Sequence, residues 1–201
     1  MRVGRLHVIT ERLDVARAAL QAGAPVVQVR VKDRADREVY ELVCRVREVA
    51  AGTGATVLVN DRVHVAVAAG ADGAHVGAED LPVEAARRVL GPGRLLGGTA
   101  RDPVTARAHE AAGADYLGVG PTFRTRSKRG LPDPLGPARV GDVARAVRIP
   151  VVAIAGITVD AVPALLDEGV HGVAVISAIN DADDPAAATE AFLRVIEKAT
   201  R

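Results

Sequence analysis

The chain has 201 residues and is 49% apolar, enough for one hydrophobic core and too much for a disordered segment. Its 26 basic and 25 acidic residues leave a net charge of +1, which argues against a general nucleic-acid or polybasic membrane surface. A single cysteine, Cys44, leaves no internal disulfide or Cys-based zinc cluster, and no apolar run approaches the roughly 18 residues of a membrane span. The opening MRVGRLHVIT enters an apparent strand at once, so the expectation is a cytoplasmic chain without a signal peptide. The apolar content is of one kind: 38 Ala and 32 Val against four aromatics, a composition suited to strands covered by closely packed helices.

Strands are expected at LHVIT (6–10), VVQVRV (26–31), TVLVN (56–60) and GAHVG (73–77). The series continues with LLGGT (95–99), YLGVG (116–120), VVAIA (151–155) and GVAVI (172–176). Helical patterns lie between them. In 36–52, Val39, Leu42, Val43, Val46 and Val49 recur at three- and four-residue steps, the apolar stripe of an amphipathic helix. Asp102-Pro103 and Asp184-Pro185 each put a capping side chain before a proline suited to the first helical turn. AGAD at 69–72 and 112–115, and EGVH at 168–171, place a helix-closing glycine just before a strand. Eight strand–helix units of about 25 residues predict a compact α/β chain, one (β/α)8 barrel domain over residues 1–201. An open doubly wound sheet would carry G-x-G-x-x-G after its first strand, and ITERLD (9–14) has none. One connection is long: 121–137 holds four of the 11 prolines and reads as a functional loop over the barrel mouth.

Chemistry in such a barrel belongs at the C-terminal ends of strands. Side chains of VVQVRVK (26–32) alternate, so Gln28, Arg30 and Lys32 share one face while Val27, Val29 and Val31 share the other. The valines are expected against the helices, which turns the polar triple into the barrel mouth. Two cations there need anions, either barrel carboxylates in an internal salt bridge or an anionic ligand. Asn60-Asp61 ends the third strand, and Glu79 and Asp80 lie just past the fourth. Acids at neighbouring strand ends can hold Mg²⁺, which takes few carboxylates and keeps water and phosphate oxygens. Either Asp alone also reads as a helix N-cap, and Asp80 before Leu81-Pro82 suits one.

A second anion site is expected at the other side of the mouth. AIAGITVD (153–160) and VISAIND (175–181) follow strands seven and eight, where barrels often hold phosphate. Gly156 lets the backbone approach an oxyanion and Ser177 offers a hydroxyl, although two ordinary turns would look the same. The long loop contributes Thr125, Ser127 and Lys128 among Arg124, Arg126 and Arg129. Of the histidines, His7 and His75 lie within strands. His75 has the parity of the barrel interior, where a packed, hydrogen-bonded ring is favoured over a catalytic base.

Together, VQVRVK (27–32), VNDR (59–62), GAHVGAEDLP (73–82), GADYLGVGPTFRTRSK (113–128), PVVAIAGI (150–157) and GVAVISAI (172–179) resemble the thiamine-phosphate synthases, in the family's order over nearly the whole chain. The resemblance implies Mg²⁺-dependent joining of hydroxymethylpyrimidine diphosphate to hydroxyethylthiazole phosphate, with release of diphosphate. It implies that Gln28, Arg30, Lys32, Asn60 and Lys128 hold the diphosphate and that Asp61 and Asp80 bind Mg²⁺. Thr99 would contact the pyrimidine and diphosphate region. Thr125 and Ser127, with backbone at Gly156, Ile176 and Ser177, would contact the thiazole phosphate. Lys32, Thr99 and Lys128 are then the expected catalytic groups. The implied partners are small phosphorylated molecules, with no nucleic acid or membrane, and homo-oligomerisation is left open.

The chain departs from the family pattern at Val31, usually acidic, at Thr99 and Arg101, usually Ser and His, at Ala155, usually Gly, and at Ser127, usually Thr. Two other readings follow. A thiazole tautomerase shares the barrel and phosphate pocket but needs neither diphosphate nor metal, and the joint presence of Lys32, Asp61, Asp80 and Lys128 points away from it. A non-catalytic phosphate-binding barrel would bind without turnover.

Overall fold

The computed structural model of the chain describes residues 3–125, 130 and 132–200. Eight parallel strands close into a barrel in chain order, β1 (Leu6–Thr10), β2 (Val26–Val29), β3 (Thr56–Asn60), β4 (Gly73–Val76), β5 (Leu95–Ala100), β6 (Tyr116–Val119), β7 (Val151–Ile154) and β8 (Gly172–Val175). The closing seam pairs Leu6 with Val173 and Val8 with Val175. Every expected strand forms. Several stop one or two residues early, and β2 leaves the ladder after Val29, so Arg30 and Lys32 stand beyond the sheet.

The alternation read in the sequence separates two apolar sets. Val8, Val27, Val29, Val57 and Val59 face outward and pack with the helices, and Val31 joins them although it lies past the strand. Ile9, Val26, Leu58, Leu95, Tyr116, Val152 and Ala174 fill the inside of the barrel. A barrel interior is therefore a packed core beneath the mouth.

The helices that cover the outside are α1 (Leu13–Gln21), α2 (Asp36–Ala50), α3 (Val63–Ala68), α4 (Val83–Leu90), α5 (Pro103–Ala111), α6 (Gly136–Arg145) and α7 (Val162–Asp167). Two more, α8 (Ser177–Asn180) and α9 (Pro185–Ala199), follow β8. The short α8 is an extra element between the last strand and the last helix. Asp102 Oδ1 accepts from the N–H groups of Val104 and Thr105, and Asp184 Oδ1 from those of Ala186 and Ala187, so both expected caps form. Gly70 (φ 64°), Gly113 (φ 93°) and Gly169 (φ 86°) take the left-handed conformation that ends α3, α5 and α7. Cys44 is half-buried in the helix layer, as filler. Among the described residues no helix is long and apolar enough to cross a membrane.

Candidate active site

The strand ends open into a pocket of about 540 Å³. Gln28, Arg30, Lys32, Asn60, Asp61, Asp80, Thr99, Thr125, Gly156, Ile176 and Ser177 all line it. Residues far apart in the chain thus meet in one cavity, because each follows the end of a different strand. Ser127 and Lys128 lie outside the described residues.

On the β2–β4 side the acids and cations interlock. Lys32 Nζ forms an ion pair with Asp61 Oδ2, so part of the internal salt bridge anticipated for the β2 cations exists. Arg30 makes no side-chain hydrogen bond to a described residue and acts on Asp61 through its charge. Neither acid caps a helix. Asp61 sits at φ 62°, a left-handed conformation that Asp tolerates better than most side chains, and this turns its carboxylate to the mouth. Asp80 Oδ2 instead turns back to accept from the Gly77 N–H at 2.7 Å. A Cβ at Gly77 would lie 2.8 Å from that same oxygen, so a side chain there would push the Asp80 carboxylate off this bond. Glu79 is exposed at the rim.

Asp61 and Asp80 also hydrogen-bond each other. Burial disfavours the charge on Asp61, but its bonds to Asp80 and Lys32 and the charge of Arg30 outweigh this, and its pKa falls below the usual carboxylate range. Burial and the neighbouring Asp61 push Asp80 the other way, against the Gly77 N–H and Lys32. Two carboxylates this close push each other's pKa values apart. Beside them, Nδ2 of the buried Asn60 has no hydrogen-bond partner among the described residues.

The floor of the pocket holds polar groups that the sequence reading did not assign to a site. His75 Nδ1 lies 3.1 Å from the Tyr116 hydroxyl, and its Nε2 lies 3.0 Å from Thr99 Oγ1. Thr99 passes the chain on by donating to the Val76 carbonyl at 3.2 Å. Burial holds His75 at a pKa of about 4, so the ring is neutral at pH 7. Burial also raises the Tyr116 pKa, with the Gln28 amide opposing. His7 stands edge-on to Tyr116, ring centroids 5.1 Å apart. Glycines make room for these rings: a Cβ at Gly97 would lie 2.2 Å from Tyr116 Cζ, and one at Gly118 would lie 2.9 Å from His75 Cε1. Glycine at interior positions of two adjacent strands was the available signal.

Arg101 stands where the family pattern usually has His. Its Nε donates to the Gly120 carbonyl at 3.2 Å and its Nη2 to that of Asp133 at 2.7 Å, so one guanidinium joins both flanks of the loop after β6. No spacing in the sequence announces that contact.

Across the mouth, the loops after β7 and β8 make the second wall. Ala155 (φ 77°) and Gly156 (φ 68°) are both left-handed. A Cβ at Gly156 would lie 2.6 Å from the Arg124 carbonyl oxygen, so the approach of the β6 loop itself requires this glycine. Ile176 and Ser177 follow β8, and the Ser177 side chain is exposed to the pocket.

The profile of the thiamine monophosphate synthase family matches residues 5–179. The thiamine-phosphate synthase of Salinispora arenicola is 54% identical over 203 aligned residues, covering 96% of this chain and 98% of the relative. That of Salinispora tropica has the same identity and coverage, 54% over 96% and 98%. Among solved structures, thiamine phosphate pyrophosphorylase from Pyrococcus furiosus superposes with a TM-score of 0.90 at 36% identity, covering 98% of this chain and 97% of that one. A 3-hexulose-6-phosphate synthase, with a TM-score of 0.71 and 19% identity, shares the fold alone. By sequence along nearly its full length and by structure, the chain belongs to the thiamine monophosphate synthase family.

Proposed function

We propose that this chain is a transferase of thiamine biosynthesis, joining hydroxymethylpyrimidine diphosphate to hydroxyethylthiazole phosphate to give thiamine phosphate and diphosphate. One observation carries the reading beyond family membership. A pair of interlocked acids with two cations at the ends of β2–β4 faces a separate turn at the ends of β7 and β8 across a single pocket. Such a site can grip a leaving diphosphate on one wall and a phosphorylated nucleophile on the other, so that the reacting atoms meet between them.

The residues present fit Mg²⁺. Asp61 and Asp80 are pressed together at a cost in charge repulsion, and the donor set is all oxygen. Mg²⁺ takes few protein carboxylates and completes its shell with water and phosphate oxygens, and two neighbouring acids suit that demand. When bound, Mg²⁺ supplies positive charge to the diphosphate oxygens. In our reading Arg30 and Lys32 neutralise the remaining diphosphate charge, with Gln28 one layer deeper. Nδ2 of Asn60, without a partner among the described residues, donates to a diphosphate oxygen. Lys128 on the β6 loop is assigned to the same group.

The bond between the pyrimidine methylene and the diphosphate oxygen breaks, its electron pair leaving with diphosphate, and the thiazole nitrogen forms the new C–N bond. In our reading Thr99, hydrogen-bonded to His75, contacts the pyrimidine and diphosphate region. Thr125 and Ser127, with backbone at Gly156, Ile176 and Ser177, hold the thiazole phosphate. We read the whole chain as one domain working in the cytoplasm.

Calorimetric titration with diphosphate tests the first wall. The wild-type chain should bind diphosphate tightly with Mg²⁺ and weakly without it, and Asp61→Ala should bind weakly in both conditions. Equal binding with and without the metal would remove the metal–diphosphate assignment.

A further inference from the structure

The turn after β8 is shaped by a side chain that does not line the pocket. Ile176, at φ −118° and ψ −85°, turns the chain from β8 into α8. Asn180, at the end of α8, holds this turn. Its Nδ2 donates to the Ile176 carbonyl at 2.7 Å and to the Ile9 carbonyl at 2.8 Å, tying the turn to the end of β1. Its Oδ1 accepts from Thr10 Oγ1 at 2.6 Å, which fixes which way the amide faces. The Thr10 oxygen in turn accepts from the Arg12 N–H at 3.0 Å. Every hydrogen of the amide group and its oxygen are therefore committed.

The consequence falls on the pocket wall. The Ile176 carbonyl also accepts from the N–H groups of Ile179 and Asn180, so its oxygen is directed behind the wall and saturated there. A carbonyl oxygen turned into the pocket would repel a phosphate, and a preorganised anion site keeps such oxygens away.

We propose that Asn180, oriented by Thr10, is the positioning residue of the thiazole-phosphate wall, setting the Ile176–Ser177 turn without touching substrate. This rests on the assignment of that wall to the thiazole phosphate. Loosening the turn weakens the grip on one substrate, while the Thr10 main chain, whose carbonyl accepts from the Arg30 N–H at 2.9 Å, keeps its pairing with the metal–diphosphate wall.

Steady-state kinetics with each substrate varied in turn, alongside thermal melts, test it. Asn180→Ala should raise the KM for the thiazole phosphate about tenfold, equivalent to about 1.4 kcal/mol of binding. The KM for the pyrimidine diphosphate should stay within about twofold, a small energy on the same scale. Asn180→Asp, which keeps the acceptor for Thr10 and loses both donors, should behave the same way. Thr10→Ser, which keeps the hydroxyl, should restore wild-type KM values. If the alanine variant does not fold, Thr10→Val carries the test, with a smaller rise in the same KM. Ser177→Ala separates the two levels of the argument. If Ser177→Ala raises the thiazole-phosphate KM and both Asn180 variants leave it alone, Asn180 has no positioning role and the wall assignment stands. If none of the three changes that KM, both fall. An equal rise in both KM values with Asn180→Ala would mark general loosening of the barrel and overturn the proposal.

Discussion

Replacing His7 by Gln should make the protein less sensitive to acid. The ring is 2% exposed inside the barrel, with Nε2 3.1 Å from the Gly4 carbonyl. Burial first, and the neighbouring His75 second, lower its pKa from 6.5 to about 3, with the Gly4 carbonyl only partly opposing them. Between those values the unfolded chain takes up a proton that the folded barrel refuses. The neutral ring's stability is thus fully present above pH 6.5 and is lost as pH falls from there towards 3. At pH 5.0 the loss from this one group is about 2 kcal/mol. Glutamine does not titrate and can still donate to the Gly4 carbonyl. Urea unfolding followed by circular dichroism at pH 7.5 and 5.0 gives the change in stability for each protein. Carboxylates and His75 remain in both and largely cancel from the comparison. The wild type should lose about 2 kcal/mol more than His7→Gln over this interval. Equal losses in the two proteins would refute the argument that burial keeps His7 neutral.

Other substitutions probe the mouth and its supports. Asp61→Ala and Lys128→Ala should each abolish diphosphate release in a coupled assay while circular dichroism stays native, and near-normal turnover in either would contradict its assignment. Gly97→Ala places a methyl 2.2 Å from Tyr116 Cζ and 2.3 Å from His75 Nδ1. It should destabilise the barrel by about 1–3 kcal/mol, as overpacking does, and a denaturation midpoint equal to wild type would show that the floor rings can move aside. Ala155→Gly should relieve a left-handed alanine at φ 77°. Its gain should be no more than about 1 kcal/mol, because glycine's extra unfolded-state entropy offsets part of the strain, and a loss of stability would contradict that balance.

Much of this arrangement could be read from short stretches of sequence because it depends on local periodicity. Alternation in VVQVRVK sets which side chains enter the barrel, and the structure keeps Val27, Val29 and Val31 outside and the polar triple in the mouth. The Asp102 and Asp184 caps are equally local, since a cap bonds N–H groups two and three residues away. What stayed hidden depends on contacts between distant segments. Asp80 alone resembles a cap, and only the fold of 77–80 shows its carboxylate turned to Gly77 and Asp61. Tyr116 and His75 are 41 residues apart and meet because β4, β5 and β6 are neighbours, with glycine between them. Asn180 reaches Thr10 across 170 residues because closing the barrel brings β8 beside β1. No spacing rule marks such a pair.

The most direct test of the central claim is to mix hydroxymethylpyrimidine diphosphate and hydroxyethylthiazole phosphate with the purified chain and follow products by mass spectrometry, with Mg²⁺ and with a chelator. Thiamine phosphate and diphosphate should form in equal amounts with Mg²⁺ and fail to form with the chelator. Isomerisation of a thiazole phosphate without any joined product would contradict it.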